Sequence, residues 1–309
     1  MDCRAREFQR IYCGSMTPEV NAPPAAGRIR GMTDQAPITG MLDVPGARLY
    51  YERRGTGPLL LVIGSPMDSA GFAGLAGALA DRYTVVTYDP RGIANSSREN
   101  TTEDITPEQQ ADDVHRLLAA LDAGPAHYFG SSGGAVVGLA LVTAHPESVR
   151  TLVAHEPPLV ELLPDRVERR ADIEDIYQTY LAKGQDAAMQ KFMSHLGLAP
   201  AAGDEHEAPQ WQPSDEELAR MRATTDVMLG HIIRQSTGYQ PDVAALAAAS
   251  TRIVVGVGAG SKGQLANRTA LALADRLGTP VVEFPGDHGG FVFHPQEFAA
   301  VLDRVIGST

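Results

Sequence analysis

From residue 40 onward, short apolar runs alternate with segments of helical period, and this alternation constrains the fold more than any other feature of the chain. The runs at residues 59–63 and 84–88 are typical of strands buried on both faces of a sheet. Because helices follow most of these runs, the pattern predicts an α/β fold: a mostly parallel, twisted sheet flanked by helices. The predicted strands are residues 41–44, 48–52, 59–63, 84–88, 126–129, 151–154, 253–257 and 281–284, and the predicted helices are 72–79, 107–121, 134–144, 265–277 and 295–306.

The alternation stops between residues 157 and 245. This stretch holds charge-rich helical segments at about 165–183, 187–196 and 215–235, with no convincing strand. We interpret it as a helical cap inserted after the sixth predicted strand, which leaves a core made of residues 40–156 and 246–309.

The first 39 residues mix Arg, Pro, Gly and Ala without a period and are predicted to be a disordered leader. Met16 and Met32 lie within it, so translation could start at either residue or at Met1. The two cysteines of the chain, Cys3 and Cys13, also fall here. The folded part therefore has no disulfide framework, thiolate nucleophile or cysteine metal site.

The most informative motif is Gly-x-Ser-x-Gly, formed by Gly130, Ser132 and Gly134 between a predicted strand and a predicted helix. An abrupt strand-to-helix turn holds its central residue in a strained backbone conformation, and small residues two positions before and after avoid clashes. Ser132 would project above the sheet at the N-terminus of the helix, where backbone N–H groups favour developing negative charge. The motif predicts a nucleophilic serine.

A serine hydroxyl needs a base, and His288 is the best placed of the nine histidines. It lies in a glycine-rich loop, Gly286-Asp287-His288-Gly289-Gly290, directly after the last predicted strand. A histidine there lies at the same edge of the sheet as Ser132. We predict that His288 is the general base.

From about residue 40 to 306 the chain resembles the α/β-hydrolase superfamily. The resemblance rests on the turn around Ser132, on the His288 loop, and on the turn Tyr88-Asp89-Pro90-Arg91-Gly92 with Ser96 after the fourth predicted strand. It implies the α/β-hydrolase fold and a triad of serine, acid and histidine. In this superfamily the Asp89 turn is architectural, so Asp89 and Arg91 are expected to be structural.

The acid of the triad departs from the common pattern of the superfamily, which places an Asp after the seventh strand. Ser261 stands at that position, and residues 251–274 contain no Asp or Glu. Glu156 follows the sixth predicted strand, where some members of the superfamily place their acid, and it preserves the order Ser132, Glu156, His288. We therefore assign Glu156 as the acid of the triad. A serine–histidine dyad, a water-assisted His288 and an acid from the cap remain alternatives.

The resemblance also implies an oxyanion hole of two backbone N–H groups. One belongs to Gly133, after the nucleophile, and the other to the loop Ile63-Gly64-Ser65-Pro66-Met67. Ser65 is the expected second donor, because Pro66 has no N–H. Met67 is the alternative if the loop is shifted by one residue.

These residues predict acyl transfer to water from a medium-sized apolar ester or lactone, without a metal or organic cofactor. The cap offers Met193, Trp211, Met221, Met228 and Tyr239 as pocket lining. The same residues could also catalyse a perhydrolase or haloperoxidase-like reaction or the hydrolysis of a C–C bond, and these activities remain alternatives. An alternative of another class is a non-catalytic small-molecule binder.

A net charge of −12, from 26 Lys and Arg against 38 Asp and Glu, argues against a nucleic acid or an anionic membrane as partner. The N-terminal residues lack the apolar stretch of a secretory signal, and no run is long enough to span a membrane. We expect a cytoplasmic protein whose partner is a small-molecule substrate, with a homodimer left open.

Overall fold

The computed structural model describes residues 36–195 and 214–308. Within these ranges nine strands form one sheet: β1 (Ile38–Val44), β2 (Ala47–Arg54), β3 (Leu59–Ile63), β4 (Thr84–Tyr88), β5 (Ser97–Arg98), β6 (Ala126–Ser131), β7 (Val149–His155), β8 (Arg252–Gly258) and β9 (Val281–Phe284). The eight predicted strands are all present. The short β5, which pairs with β2, is an addition to them.

The sheet has the order β1-β2-β4-β3-β6-β7-β8-β9. In this order every neighbouring pair from β4 through β3, β6, β7 and β8 to β9 is parallel. The strand β2 pairs antiparallel with both β1 and β4. The predicted α/β fold with a mostly parallel sheet is therefore confirmed. The chain passes from β3 outward to β4 and then returns to β6 on the other side of β3, so the strand order reverses there. The crevice outside the carboxyl ends of β3 and β6 is the position at which open α/β sheets bind ligands.

Helices cover both faces of the sheet. One face packs against α1 (Ala73–Leu79) and the C-terminal helix Pro295–Gly307, and the other against α2 (Pro107–Ala120), α3 (Gly133–Ala144) and the helix Leu265–Leu277. Successive residues of β6 show this division, since Tyr128 is buried in one hydrophobic cluster and Phe129 in the other. Burial on both faces explains why the central strands are nearly continuous apolar runs.

In the described part of the segment between β7 and β8 the regular elements are helices, joined by short loops. Its helices are α4 (Arg166–Lys183), α5 (Gln185–His195), α6 (Asp215–Val227), α7 (Ile233–Thr237) and α8 (Val243–Ala248), and a π-helical turn at Met228–Ile232 separates α6 from α7. We call these five helices and the π-turn the helical insertion. The helix α8 crosses residue 245, the predicted end of the cap. In the described ranges no helix has the length and apolarity to cross a bilayer.

After β8 the chain continues through α9 (Leu265–Leu277), β9, the short α10 (Gly290–Phe293) and α11 (Pro295–Gly307). The loop between β9 and α10 contains His288, so this residue lies at the carboxyl edge of the sheet together with the residues that follow β3, β6 and β7.

Candidate active site

A cavity of about 260 Å³ lies at the carboxyl edge of the sheet and beneath the helical insertion. Ser132, His288, Ser65 and Gly133 all line it, so the structure brings four of the five predicted site residues to one space. The fifth, Glu156, is fully buried behind His288.

The turn around Ser132 has the strained geometry that the motif predicts. Ser132 has φ of 55° and ψ of −124°, a region rarely occupied by residues other than glycine, and α3 begins at the next residue. A Cβ atom on Gly134 would collide with the Ile63 carbonyl oxygen, and one on Gly130 would come within 2.5 Å of the Gly134 oxygen. Both positions therefore require glycine, because strand and helix backbones pass too closely for any side chain.

Glu156 accepts three hydrogen bonds, one of them from His288. Its Oε2 lies 2.7 Å from His288 Nδ1, and its Oε1 accepts from the Gly258 N–H at 3.0 Å. Ser261, which stands where the superfamily commonly has its acid, donates its hydroxyl to Oε2 at 3.2 Å. An ionised Glu156 holds the neutral imidazole as the Nδ1–H tautomer, which leaves Nε2 free to accept a proton.

The backbone conformation and the charge state of Glu156 both favour its hydrogen bond with His288. Glu156 has φ of 48°, and its N–H donates to the Gly256 carbonyl at 3.0 Å, which directs the side chain under the His288 loop. Burial raises the pKa of Glu156, but the hydrogen bond and charge of His288 outweigh it and lower the pKa below its ordinary value. Glu156 is therefore the ionised partner of His288 at neutral pH.

Ser132 and His288 line the same cavity, but no hydrogen bond joins their side chains among those of the described residues. Catalytic hydrogen bonds of this kind commonly tighten only when substrate is bound. The His288 side chain is 29% exposed, in contrast to the buried Glu156, so its ring can meet both the acid and the cavity.

The two predicted oxyanion donors lie side by side. A Cβ atom on Gly133 would collide with the Ser65 carbonyl oxygen, so the loop after β3 contacts the beginning of α3. Neither the Ser65 nor the Gly133 N–H is hydrogen bonded to another described residue. Such unpaired amides next to a nucleophile can stabilise an oxyanion. Met67, the alternative donor, also lines the cavity.

Asp89 and Arg91 hold loops in place away from the cavity wall. Asp89 accepts hydrogen bonds from the Ser69 N–H at 2.8 Å and from Asn95 at 2.9 and 3.0 Å. Arg91 forms a buried two-pronged ion pair with Asp113, at 2.8 and 2.5 Å. Burial raises the pKa of Asp113, and Arg91 opposes this shift. These contacts agree with a structural role for the turn.

His155 is a residue of this region that the sequence analysis did not single out. It ends β7, is fully buried among Phe129, Phe284 and Phe298, and shares a hydrogen bond of 3.1 Å with Ser131. Burial lowers its pKa to about 4, so it is neutral at physiological pH. The position of His155 directly before Glu156 was the one sequence signal that it could lie near the site. Nothing in the sequence shows that it is buried, because a histidine at a strand end has no pattern of its own.

The wall of the cavity is mostly apolar, and much of it comes from the helical insertion. Among its described lining residues Asp287 and His288 are ionisable, and none is Lys or Arg. Met193 and Met228 line the cavity as predicted, whereas Met221 and Tyr239 are not among the lining residues, and Trp211 lies outside the described residues. The insertion contributes Ile173, Met189, Phe192, Met193, Thr224, Met228, Ile232, Ile233, Ser236 and Thr237.

A group of potential metal ligands within the described ranges is formed by His115, His145 and Glu147, away from the cavity lining. The two imidazole rings are stacked at 3.8 Å with 9° between their planes. His115 Nδ1 also lies 3.1 Å from the Ser148 hydroxyl, so this ring nitrogen already has a hydrogen-bond partner.

Comparison with known proteins agrees with this architecture. A family model described as alpha/beta hydrolase fold matches residues 57–196. The uncharacterized hydrolase YraK of Bacillus subtilis (strain 168) is 35% identical over 270 residues, which cover 86% of this chain and 95% of that protein. A zearalenone hydrolase of Bionectria ochroleuca is 26% identical over 261 residues, 82% of this chain and 92% of that protein.

Among solved structures, a thermophilic esterase from Thermogutta terrifontis has a TM-score of 0.67 at 19% identity, and the match covers 89% of this chain and 99% of that one. The similarity at this level concerns the fold. The match to YraK over nearly its whole length, together with the family model, identifies the chain as a hydrolase of the α/β-hydrolase family.

Proposed function

We propose that this protein hydrolyses an ester or lactone of an uncharged, largely apolar small molecule through an acyl-enzyme on Ser132. The observation that carries the proposal is the contact of 2.7 Å between the buried Glu156 and His288, at a cavity that Ser132 also lines. A buried carboxylate is costly unless it is paired, and this one is paired with a histidine that reaches the cavity.

In the proposed reaction, Nε2 of His288 takes the proton of the Ser132 hydroxyl while Oγ attacks the substrate carbonyl carbon. The negative charge moves to the carbonyl oxygen, where the N–H groups of Ser65 and Gly133 donate to it. The tetrahedral intermediate collapses, and His288 returns the proton to the departing alkoxide. Water then attacks the acyl-enzyme by the same steps and releases the acid and free Ser132.

Glu156 orients the imidazole through Nδ1 and stabilises the imidazolium that forms in each step. Its three hydrogen-bond contacts, with His288, Gly258 and Ser261, restrict the carboxylate to one orientation. The pKa of Glu156 is lowered, so it stays ionised while His288 gains and loses its proton.

The substrate class follows from the cavity. With no Lys or Arg among the described lining residues, and with Asp287 close to His288, the cavity disfavours substrates that carry a carboxylate. Met189, Phe192 and Met193 offer apolar and adaptable surface for an acyl or ring portion. In this proposal the helical insertion acts as a cap over the substrate. The similarity to a zearalenone hydrolase supports a lactone among the candidate substrates.

The proposal is tested by labelling with a fluorophosphonate, followed by intact-mass measurement of the wild type and of Ser132→Ala. The expected result is one adduct on the wild type and none on the variant. Absence of an adduct from both folded proteins would contradict an activated Ser132 and would favour the non-catalytic binder. An adduct on both would place the reactive nucleophile at another residue.

A further inference from the structure

Gln110 is a fully buried polar residue of α2 that is not among the residues lining the cavity. Its Oε1 accepts a hydrogen bond of 2.9 Å from the Ser65 hydroxyl, across 45 positions of sequence. We propose that Gln110 is a positioning residue, which holds the Ser65 backbone N–H where the oxyanion forms. The proposal rests on the proposed function, because it concerns the second donor of that oxyanion hole.

The Ser65 loop has few other attachments. Residues 65–67 make no backbone–backbone hydrogen bond with another described residue, and Pro66 has no N–H to offer. The next hydrogen bond to a distant part of the chain is that of the Ser69 N–H, which donates to Asp89. Between the end of β3 and Ser69, the bond to Gln110 therefore fixes the loop at the residue whose N–H is proposed to act.

Movement of this loop would alter the site directly. The Ser65 carbonyl lies against Gly133, so close that a Cβ atom there would collide with it. Ser65 and Gly133 are the two proposed donors, and an oxyanion hole works only when both N–H groups point at one atom. A Ser65 loop that pivots about β3 would separate the two donors without disturbing Ser132, His288 or Glu156.

The NH2 group of the Gln110 side chain argues against a purely stabilising role for this residue. Its Nε2 is buried and has no hydrogen-bond partner among the described residues, which is unfavourable for folding. Its neighbours on the same helix, Ala111 and Val114, belong to the hydrophobic core. An apolar side chain of similar size would remove the unpaired Nε2 donor, but it would also leave the buried Ser65 hydroxyl without its acceptor. Because these two effects oppose each other, Gln110→Leu is expected to unfold at a temperature close to that of the wild type.

The test compares Gln110→Leu, Ser65→Ala and the double variant, with Gln109→Leu as the control. Gln109 is the adjacent residue on the same helix, but it is exposed. We expect Gln110→Leu and Ser65→Ala each to lower kcat for 4-nitrophenyl butyrate about tenfold with little change in KM, because the lost interaction acts on the transition state. Since both variants break the same bond, the double variant is expected to lose no more than either single variant. Gln109→Leu should match the wild type in kcat and KM.

Thermal unfolding separates positioning from a structural role. The expected Tm of Gln110→Leu is close to that of the wild type, while its kcat falls about tenfold. A Gln110→Leu variant with wild-type kcat would overturn the proposal, and so would a double variant whose losses multiply. A loss of kcat that only follows a loss of folded protein would also overturn it, in favour of a structural role.

Labelling of Ser132 by the fluorophosphonate in the wild type is measured first. If wild-type Ser132 is not labelled, the proposed function fails and this inference fails with it. If Ser132 is labelled and Gln110→Leu is unchanged in kcat, the inference alone fails.

Discussion

Replacing the Glu156 carboxylate with an amide of the same shape, Glu156→Gln, is expected to disable His288 without emptying the space behind it. The Gly258 N–H donates to Oε1, so the glutamine carbonyl must take that position, because the reverse orientation would face two donors toward each other. The glutamine NH2 group then occupies the place of Oε2, 2.7 Å from His288 Nδ1. There it donates to Nδ1.

This reversal favours the wrong tautomer of the imidazole. With Nδ1 accepting a hydrogen bond, the ring proton moves to Nε2, which can no longer take the proton of Ser132. The negative charge that stabilises the imidazolium is also lost. The same replacement in a serine–histidine–aspartate triad costs about 10⁴ in kcat, and we expect a loss of about 10³–10⁴ here.

The assay is steady-state hydrolysis of 4-nitrophenyl butyrate by the wild type, by Glu156→Gln and by the control Asp275→Asn. Asp275 is an exposed carboxylate on α9, the helix that follows β8, so its neutralisation is expected to change kcat/KM by less than about twofold. Circular dichroism confirms that each variant is folded. A folded Glu156→Gln enzyme that stays within about tenfold of the wild type would refute the assignment and favour a dyad or another acid.

Three further predictions follow from charges in and around the site. Arg91→Met leaves the buried Asp113 without its ion-pair partner, so the free energy of unfolding should fall by about 3–5 kcal/mol in urea titrations, with kcat per folded molecule little changed. His155 is neutral when folded, and burial lowers its pKa to about 4 from 6.5, so the unfolded chain binds the extra proton between these values. Stability should therefore fall by up to about 3 kcal/mol as pH drops from 6.5 to 4, and His155→Gln should flatten that part of the profile. The uncharged 4-nitrophenyl butyrate should be hydrolysed at least about tenfold more efficiently than mono-4-nitrophenyl succinate, since the second substrate brings a carboxylate near Asp287. Equal stability of Arg91→Met and wild type, an unchanged pH profile in His155→Gln, or equal rates for the two esters would contradict the respective arguments.

The fold was predictable because its strongest signals are local. Buried parallel strands such as Leu59–Ile63 need apolar side chains on both faces, and this need is visible in the sequence. A threonine followed by a proline is typical of a helix start, and the Thr106 side chain accepts from the Gln109 N–H at the start of α2. The strand β5 was missed because two residues, Ser97 and Arg98, are too few to show a period.

The candidate site residues could be named from the sequence, but their geometry could not. Sequence order led to Glu156, yet its positive φ, which turns the side chain toward His288, depends on the packing of β7 against β8. The segment 215–235 was predicted as one helical stretch, and the structure interrupts it with the π-turn at Met228–Ile232. Gln110 and His155 were not identified because burial of a polar side chain results from tertiary contacts. The cytoplasmic location, the homodimer and the domain boundaries stay predictions.

The central claim, an acyl-enzyme on Ser132, is tested most directly by rapid-quench intact-mass measurement during turnover of 4-nitrophenyl butyrate. The account predicts a transient mass increase of one butyryl group on the wild type, located by peptide mapping to Ser132 and absent from Ser132→Ala, together with a burst of nitrophenol if deacylation is slower than acylation. Turnover with no covalent species at any quench time, and with Ser132→Ala as active as the wild type, would contradict it.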